Sequence, residues 1–115
     1  MSTESPTRLA IVNARVFTGN PRRPWADAVL FRDDRVELVG SSAEVRKRID
    51  ATVRTIDARG MFVRPAEKDG VLEAGALADI VMLDRDITRA TPEETSDAEV
   101  MLLVVAGRIV SGRAG

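Results

Sequence analysis

The chain has 115 residues, 44% of them apolar and 30% charged, with a formal net charge of -1. That is enough for one modest domain and not two, and the balanced charge provides no broad field to draw in nucleic acid or an anionic membrane. Histidine and cysteine are both absent, which removes disulfides, thiolate chemistry, the commonest metal ligand and the usual neutral-pH general base.

The stretch Met1-Ser2-Thr3-Glu4-Ser5-Pro6 has no basic start and no apolar run, so it does not read as a secretory signal. A tail over 1–7 is expected. Leu9-Ala10-Ile11-Val12 followed by Asn13-Ala14-Arg15-Val16-Phe17 reads as a strand with an interruption near Asn13. Thr18 to Pro24 is a turn-rich loop, and Trp25 at its end is expected to cap a core edge. Ala26 to Phe31 is a second strand. Asp33-Asp34 turns the chain, and Arg35 to Val39 returns, completing a β-hairpin. Its alternation places Val36 and Leu38 on one face.

Ser41 or Ser42 caps a short helix over Ala43 to Ile49, with Glu44 placed as in a capping box. Val45 and Ile49 share the face that meets the sheet. The helix dipole accounts for Arg46, Lys47 and Arg48 near its C-terminal end, and Arg22-Arg23 reads as solvated surface. Val53 to Asp57 and Met61 to Arg64 are further strands, the second ended by Pro65. Ala66 to Gly70 is polar and turn-like. Ile80 to Leu83 lies between Asp79 and Asp84, too short for a one-sided helix and suited to a strand covered on both faces. Thr91-Pro92-Glu93-Glu94 forms a single helical turn within a loop. Val100 to Val105 is an apolar strand, Ala106-Gly107-Arg108 a tight turn, and Ile109-Val110 pairs back.

These elements make a mainly β domain: a small β-sandwich with one short helix. Its expected limits are 8–111, with an N-terminal half at 8–65 and a C-terminal half at 70–111 joined through 66–69. Residues 112–115 read as a tail.

The chemistry-bearing residues are few. Asp79, Asp84 and Asp86 flank or follow the central strand, while Asp33-Asp34, Glu93-Glu94 and Asp97 fall in turns. Paired carboxylates do acid–base work only where their surroundings separate their pKa values, and nothing in the spacing provides that. Ser5, Ser41, Ser42, Ser96 and Ser111 have no histidine to activate them; only Lys47 or Lys68 could stand beside one. No glycine-rich phosphate loop or calcium-loop pattern is present. No catalytic, cofactor-binding or metal-ligating residue is assigned, and no cofactor is expected.

Several segments together resemble the metal-dependent amidohydrolases. They are Leu9-Ala10-Ile11-Val12-Asn13-Ala14-Arg15-Val16-Phe17-Thr18, the turn Asp33-Asp34-Arg35-Val36, Thr55-Ile56-Asp57-Ala58-Arg59-Gly60-Met61-Phe62-Val63-Arg64-Pro65, the run from Gly70 to Asp84, and Val104-Val105-Ala106-Gly107-Arg108-Ile109-Val110. The flavour is that of a broad amide- and urea-hydrolase subgroup. The resemblance implies a composite sandwich built from both chain ends, with a catalytic (β/α)₈ barrel between them carrying one or two metal ions. After the proline matching Pro65, family members run into an Asp-x-His-x-His motif. Here Pro65 is followed by Ala66-Glu67-Lys68-Asp69-Gly70, so the barrel is missing and no catalytic residue carries over.

The expected function is therefore a non-catalytic composite domain. The alternatives are a self-association or partner-binding module, or a remnant hydrolase using Asp79, Asp84 and Asp86. The expected partners are a weak homodimer mate or the missing barrel, with no nucleic acid and no membrane. The expected location is cytoplasmic.

Overall fold

A computed structural model describes residues 8–67, 69–88 and 91–112. The tail expected over 1–7, residues 113–115 of the C-terminal tail, and Lys68 lie outside the described residues.

Among the described residues the chain forms ten strands and two helices. A four-stranded sheet has the order β5 (Arg35–Gly40), β4 (Ala28–Arg32), β1 (Arg8–Val12), β6 (Val53–Asp57). A six-stranded sheet has the order β10 (Arg108–Gly112), β9 (Val100–Val105), β8 (Ile80–Leu83), β7 (Phe62–Pro65), β2 (Arg15–Phe17), β3 (Trp25–Ala26). The mainly β, two-sheet architecture is the one the apolar runs require.

The sheets share one corner. The chain passes from β1 to β2 at Asn13, from β3 to β4 at Asp27, and from β6 to β7 at 58–61, changing sheets each time. Backbone bonds hold the three crossings side by side: Ala14 N–H to Asp27 O at 2.8 Å, Ala58 N–H to Val12 O at 2.9 Å, and Gly60 N–H to Asn13 O at 2.7 Å. Asn13 and Arg59 adopt left-handed backbone, with φ of 56° and 52°. Asparagine tolerates this conformation, and the Asp57 carboxylate supports the second bend by accepting the Arg59 N–H at 2.9 Å. Ala26 to Phe31 is accordingly two strands broken at Asp27, because Trp25–Ala26 pairs with β2 while Ala28–Arg32 pairs with β1.

The core lies between the sheets. Leu9, Ile11, Val29, Phe31, Val36 and Ile56 from the four-stranded sheet meet Val16, Val63, Ile80, Met82, Leu102 and Val104 from the six-stranded one. A second cluster of Ala10, Val12, Ala28, Leu30 and Val45 fills the outer face of the smaller sheet beneath the helix α1 (Ser42–Arg46). A third, on the outer face of the larger sheet, joins Phe62, Val81 and Leu83 to Phe17, Trp25, Ile87, Ala98 and Leu103. Trp25 caps that edge as expected: it meets Phe17 edge-on at 5.5 Å, and the Arg15 guanidinium lies 4.0 Å from its ring centre.

Three local expectations are corrected. The hairpin carries a bulge at Glu37, since Leu30 pairs with Leu38 and Phe31 with Val36. The extra residue shifts the alternation, so Val36 and Val39 meet the central core while Leu38 turns to the α1 side. The Ser41 capping box forms, but α1 ends at Arg46; 3₁₀-type bonds from Arg48 N–H to Val45 O and from Ile49 N–H to Arg46 O tighten the exit. The single helical turn after Thr91 is a second helix, α2 (Pro92–Asp97), capped by the Thr91 side chain.

Candidate functional site

Three carboxylates were the candidates for chemistry, and the fold keeps them apart. Asp79 and Asp84 stand at opposite ends of β8, about 16 Å apart along an extended chain. Asp79 Oδ1 accepts the Ala106 N–H at 2.6 Å and so holds the turn between β9 and β10. Asp84 takes two bonds from Arg85, both 3.1 Å, and accepts the Glu99 N–H at 3.0 Å. Asp86 turns elsewhere, pairing with Arg15 at 2.7 Å and accepting the Thr88 N–H at 2.8 Å.

Each acid is engaged by the chain's own turns, and the described residues contain no group of three acidic side chains placed to hold a metal ion. Three of the serines are similarly committed, while Ser111 is exposed on β10 (Arg108–Gly112). Ser41 Oγ accepts from Glu44 N–H, Ser42 Oγ accepts from Asn13 N–H at 2.9 Å, and Ser96 donates to Pro92 O at 3.0 Å. Ser5 and Lys68 lie outside the described residues.

The role of Asp79 is testable. Asp79→Ala removes a charge-assisted acceptor from a turn N–H, and the expected loss is about 1–2 kcal/mol. Asp79→Asn, which keeps an acceptor, should lose less. Urea unfolding of the pair checks this; equal losses would contradict the turn-holding role.

The perturbed acids are lowered by donors of the chain itself. The Arg85 guanidinium lowers Asp84 below the usual carboxylate range. The backbone N–H received through Ser41 lowers Glu44, the Thr52 hydroxyl lowers Asp50, and the Arg59 N–H lowers Asp57. For Asp86, burial acts upward but is outweighed by bonds from Thr88 and Arg15, and the net shift is downward. A carboxylate lowered on folding stabilises the fold above its unfolded pKa, and that contribution is lost as pH falls through the folded value. With no histidine, cysteine or tyrosine, the melting temperature is expected to stay flat from about pH 5.5 to 8.5 and to drop below about pH 4. A step near pH 6.5 in a thermal-melt series would contradict this assignment.

One cleft sits at the junction of the two halves. It holds about 280 Å³ and is lined by Arg35, Pro65, Glu67, Val71, Leu77 and Asp79, among others. Its walls are structural: Arg35 donates to Gly75 O at 3.4 Å, and residues 75–78 cover the β5 edge through Val36 N–H to Ala76 O and Gly75 N–H to Val36 O, both 2.8 Å. A second cleft, of about 320 Å³, is lined by Arg8, Leu9, Arg54, Gly107, Arg108 and Ile109, none of which the sequence marks as functional. The one signal there is Arg54, two residues before core-facing Ile56 on an alternating strand.

The fold is a mainly β pair of sheets in which Asp79, Asp84 and Asp86 bond to backbone N–H groups and arginines of the chain itself. A model of the amidohydrolase family matches residues 51–111, just over half of the 115-residue chain, and the chain belongs to that family. Solved structures similar to it include an uncharacterized metal-dependent hydrolase from Pyrococcus furiosus, with 28% identity and a TM-score of 0.46 over 51% of this chain and 13% of that one. Another, from Pyrococcus horikoshii OT3, has 20% identity and a TM-score of 0.46 over 51% and 12%. An enamidase described as a member of the amidohydrolase superfamily has 28% identity and a TM-score of 0.39 over 50% and 15%. The matched chain thus spans 12% to 15% of those proteins. No curated protein matches it.

Proposed function

We propose that this chain is the composite sandwich of an amidohydrolase-type protein and performs no hydrolysis by itself. The observation that carries the reading is the junction. Pro65 and Ile80 are register partners on the antiparallel strands β7 and β8, and the Ala66 N–H extends the ladder to Asp79 O at 3.1 Å. The connecting segment, where the resemblance would put a barrel, instead walls a small cleft and covers the β5 edge.

The residues present do not fit the metal centre that the family implies. The chain has no histidine, and its candidate acids already satisfy backbone donors and arginines. No reaction step is derived through a metal. The activity associated with the family, metal-dependent hydrolysis of non-peptide carbon–nitrogen bonds, belongs in this reading to a barrel. Among the described residues no helix is long and apolar enough to cross a membrane. The absence of cysteine fits a reducing compartment such as the cytoplasm, and the balanced charge fits a chain without a nucleic-acid partner.

Metal analysis tests the reading. After incubation with excess zinc and desalting, the chain is expected to retain far less than one zinc per molecule. Zinc bound at 100 times its Kd would also add about 2.7 kcal/mol of stability, so an unchanged thermal melt is the second expected result. Stoichiometric zinc with a raised melting temperature would overturn it.

A further inference from the structure

The two sheets end in four strands, β5, β6, β3 and β10, and the first three of these edges are blocked. Residues 75–78 cover the β5 edge through Val36 N–H to Ala76 O and Gly75 N–H to Val36 O, both 2.8 Å. β3 is two residues long, too short a template for another chain. On β6, Arg54 pairs with core-facing Leu9 and shares a strand face with buried Ile56, so its charge lies toward the space between the sheets. An inward charge of this kind discourages strand addition.

The fourth edge is different. β10 is five residues long, Arg108-Ile109-Val110-Ser111-Gly112, and among the described residues no segment pairs with its outer side. Its one charged residue, Arg108, opposes outward-facing Val105 at the turn and lies beside Asp33 and Asp34. That charge stands among acids of its own chain and does not guard the rest of the strand. The middle of the edge is apolar. The bulge against β9 falls at Val110, which is 58% exposed, and Val100 and Val105 on β9 are also exposed. Three of the five exposed large apolar residues among the described ones therefore lie on this hairpin.

We propose that β10 pairs with β10 of a second copy of this chain, antiparallel about a two-fold axis at Val110, so that two six-stranded sheets become one. A two-fold contact requires a self-complementary surface, and this strand provides it. In that register Val110 opposes Val110, Ile109 opposes Ser111 and Arg108 opposes Gly112, so no like charges stand opposite one another. A net charge of -1 on each copy adds little repulsion. Five paired residues span about 17 Å, a small contact beside a standard interface, and the bulge disfavours pairing further. The dimer is accordingly weak, with an expected Kd of about 10–100 µM. The inference is independent of whether the chain is catalytic.

The test is sedimentation of the full chain from about 5 to 500 µM, a range that brackets this affinity, with ¹⁵N NMR spectra over the same dilution. Monomer is expected at the low end and mostly dimer at the high end, with dilution shifts concentrated at the amides of residues 108–112. Val110→Lys sets like charges against each other at the two-fold axis and is expected to weaken the dimer by about 10-fold. Arg54→Glu, on the β6 edge, should leave it unchanged. A chain that stays monomeric throughout would overturn the proposal and leave β10 as an edge for a strand of another protein. A dimer indifferent to Val110→Lys, or weakened equally by Arg54→Glu, would overturn it by placing the contact elsewhere. The dilution shifts of the unaltered chain decide the matter even if a variant fails to fold.

Discussion

Gly107→Ala is expected to lower stability by about 3–5 kcal/mol, the largest effect of any one-carbon change in the chain. Ala106 and Gly107 both have positive φ, 52° and 76°, as a tight two-residue hairpin turn requires. The added Cβ would sit 1.8 Å from Asp33 O and 2.9 Å from the carbonyl carbon that carries it. Both atoms are backbone, so no side chain can swing aside. The Gly107 N–H also donates to Ala78 O at 2.9 Å, and retreat of the turn would break that bond. The left-handed conformation alone costs alanine roughly 1–2 kcal/mol; the clash adds the rest.

Gly60 provides the control. Its φ is 84°, and nothing lies within 4 Å of the point an added methyl group would occupy, so Gly60→Ala should show the conformational cost alone. Thermal melts of the two variants separate the terms. At about 4–8 °C per kcal/mol for small domains, Gly107→Ala should melt at least 10 °C below Gly60→Ala. Equal melting temperatures would mean that the β9–β10 turn does not abut the Asp33-Asp34 turn.

Phe31→Ala is the second large effect, with an expected loss of about 3–5 kcal/mol. Phe31 is fully buried on β4, pairs across to Leu9 and Val36, and belongs to the cluster joining the two sheets. Its removal leaves a cavity between two sheets fixed to each other at the bent corner, so collapse around the gap is restricted. Val110→Ala, at a position 58% exposed, should change stability by less than about 0.5 kcal/mol. Urea unfolding resolves the two; a Phe31→Ala loss under about 1 kcal/mol would contradict a core shared between the sheets.

The parts of the fold legible in the sequence are those governed by local chemistry. Asp33-Asp34 marks its turn because aspartate tolerates the conformation, and Asp33 has a φ of 53°. Ser41 and Glu44 announce a capping box that forms with both bonds. Val53–Asp57 and Ile80–Leu83 are strands with the expected limits. The changes of sheet at Asn13 and Asp27 were hidden, because partners distant in sequence determine which sheet a short strand joins. The bulge at Glu37 was hidden for the same reason: its signal is a register against β4, and Arg35 to Val39 carries no glycine or proline to mark it.

The apolar run Val100–Val105 also misleads when taken alone. Leu102 and Val104 are buried, whereas Val100 and Val105 are 48% and 44% exposed near the strand ends. For the candidate site, the sequence singled out Asp79, Asp84 and Asp86 as the acids to weigh and assigned none of them a catalytic or metal-binding role. It could not show that Ala106, Glu99 and Thr88 would each donate a backbone N–H to one of them.

The most direct measurement is hydrolysis by the purified, zinc-supplemented chain of hydantoins, simple amides and N-acyl amino acids. The expected result is no turnover above a mock purification from cells lacking the chain. Turnover that copurifies with the chain, scales with its concentration and disappears on chelation would contradict a sandwich without a catalytic centre.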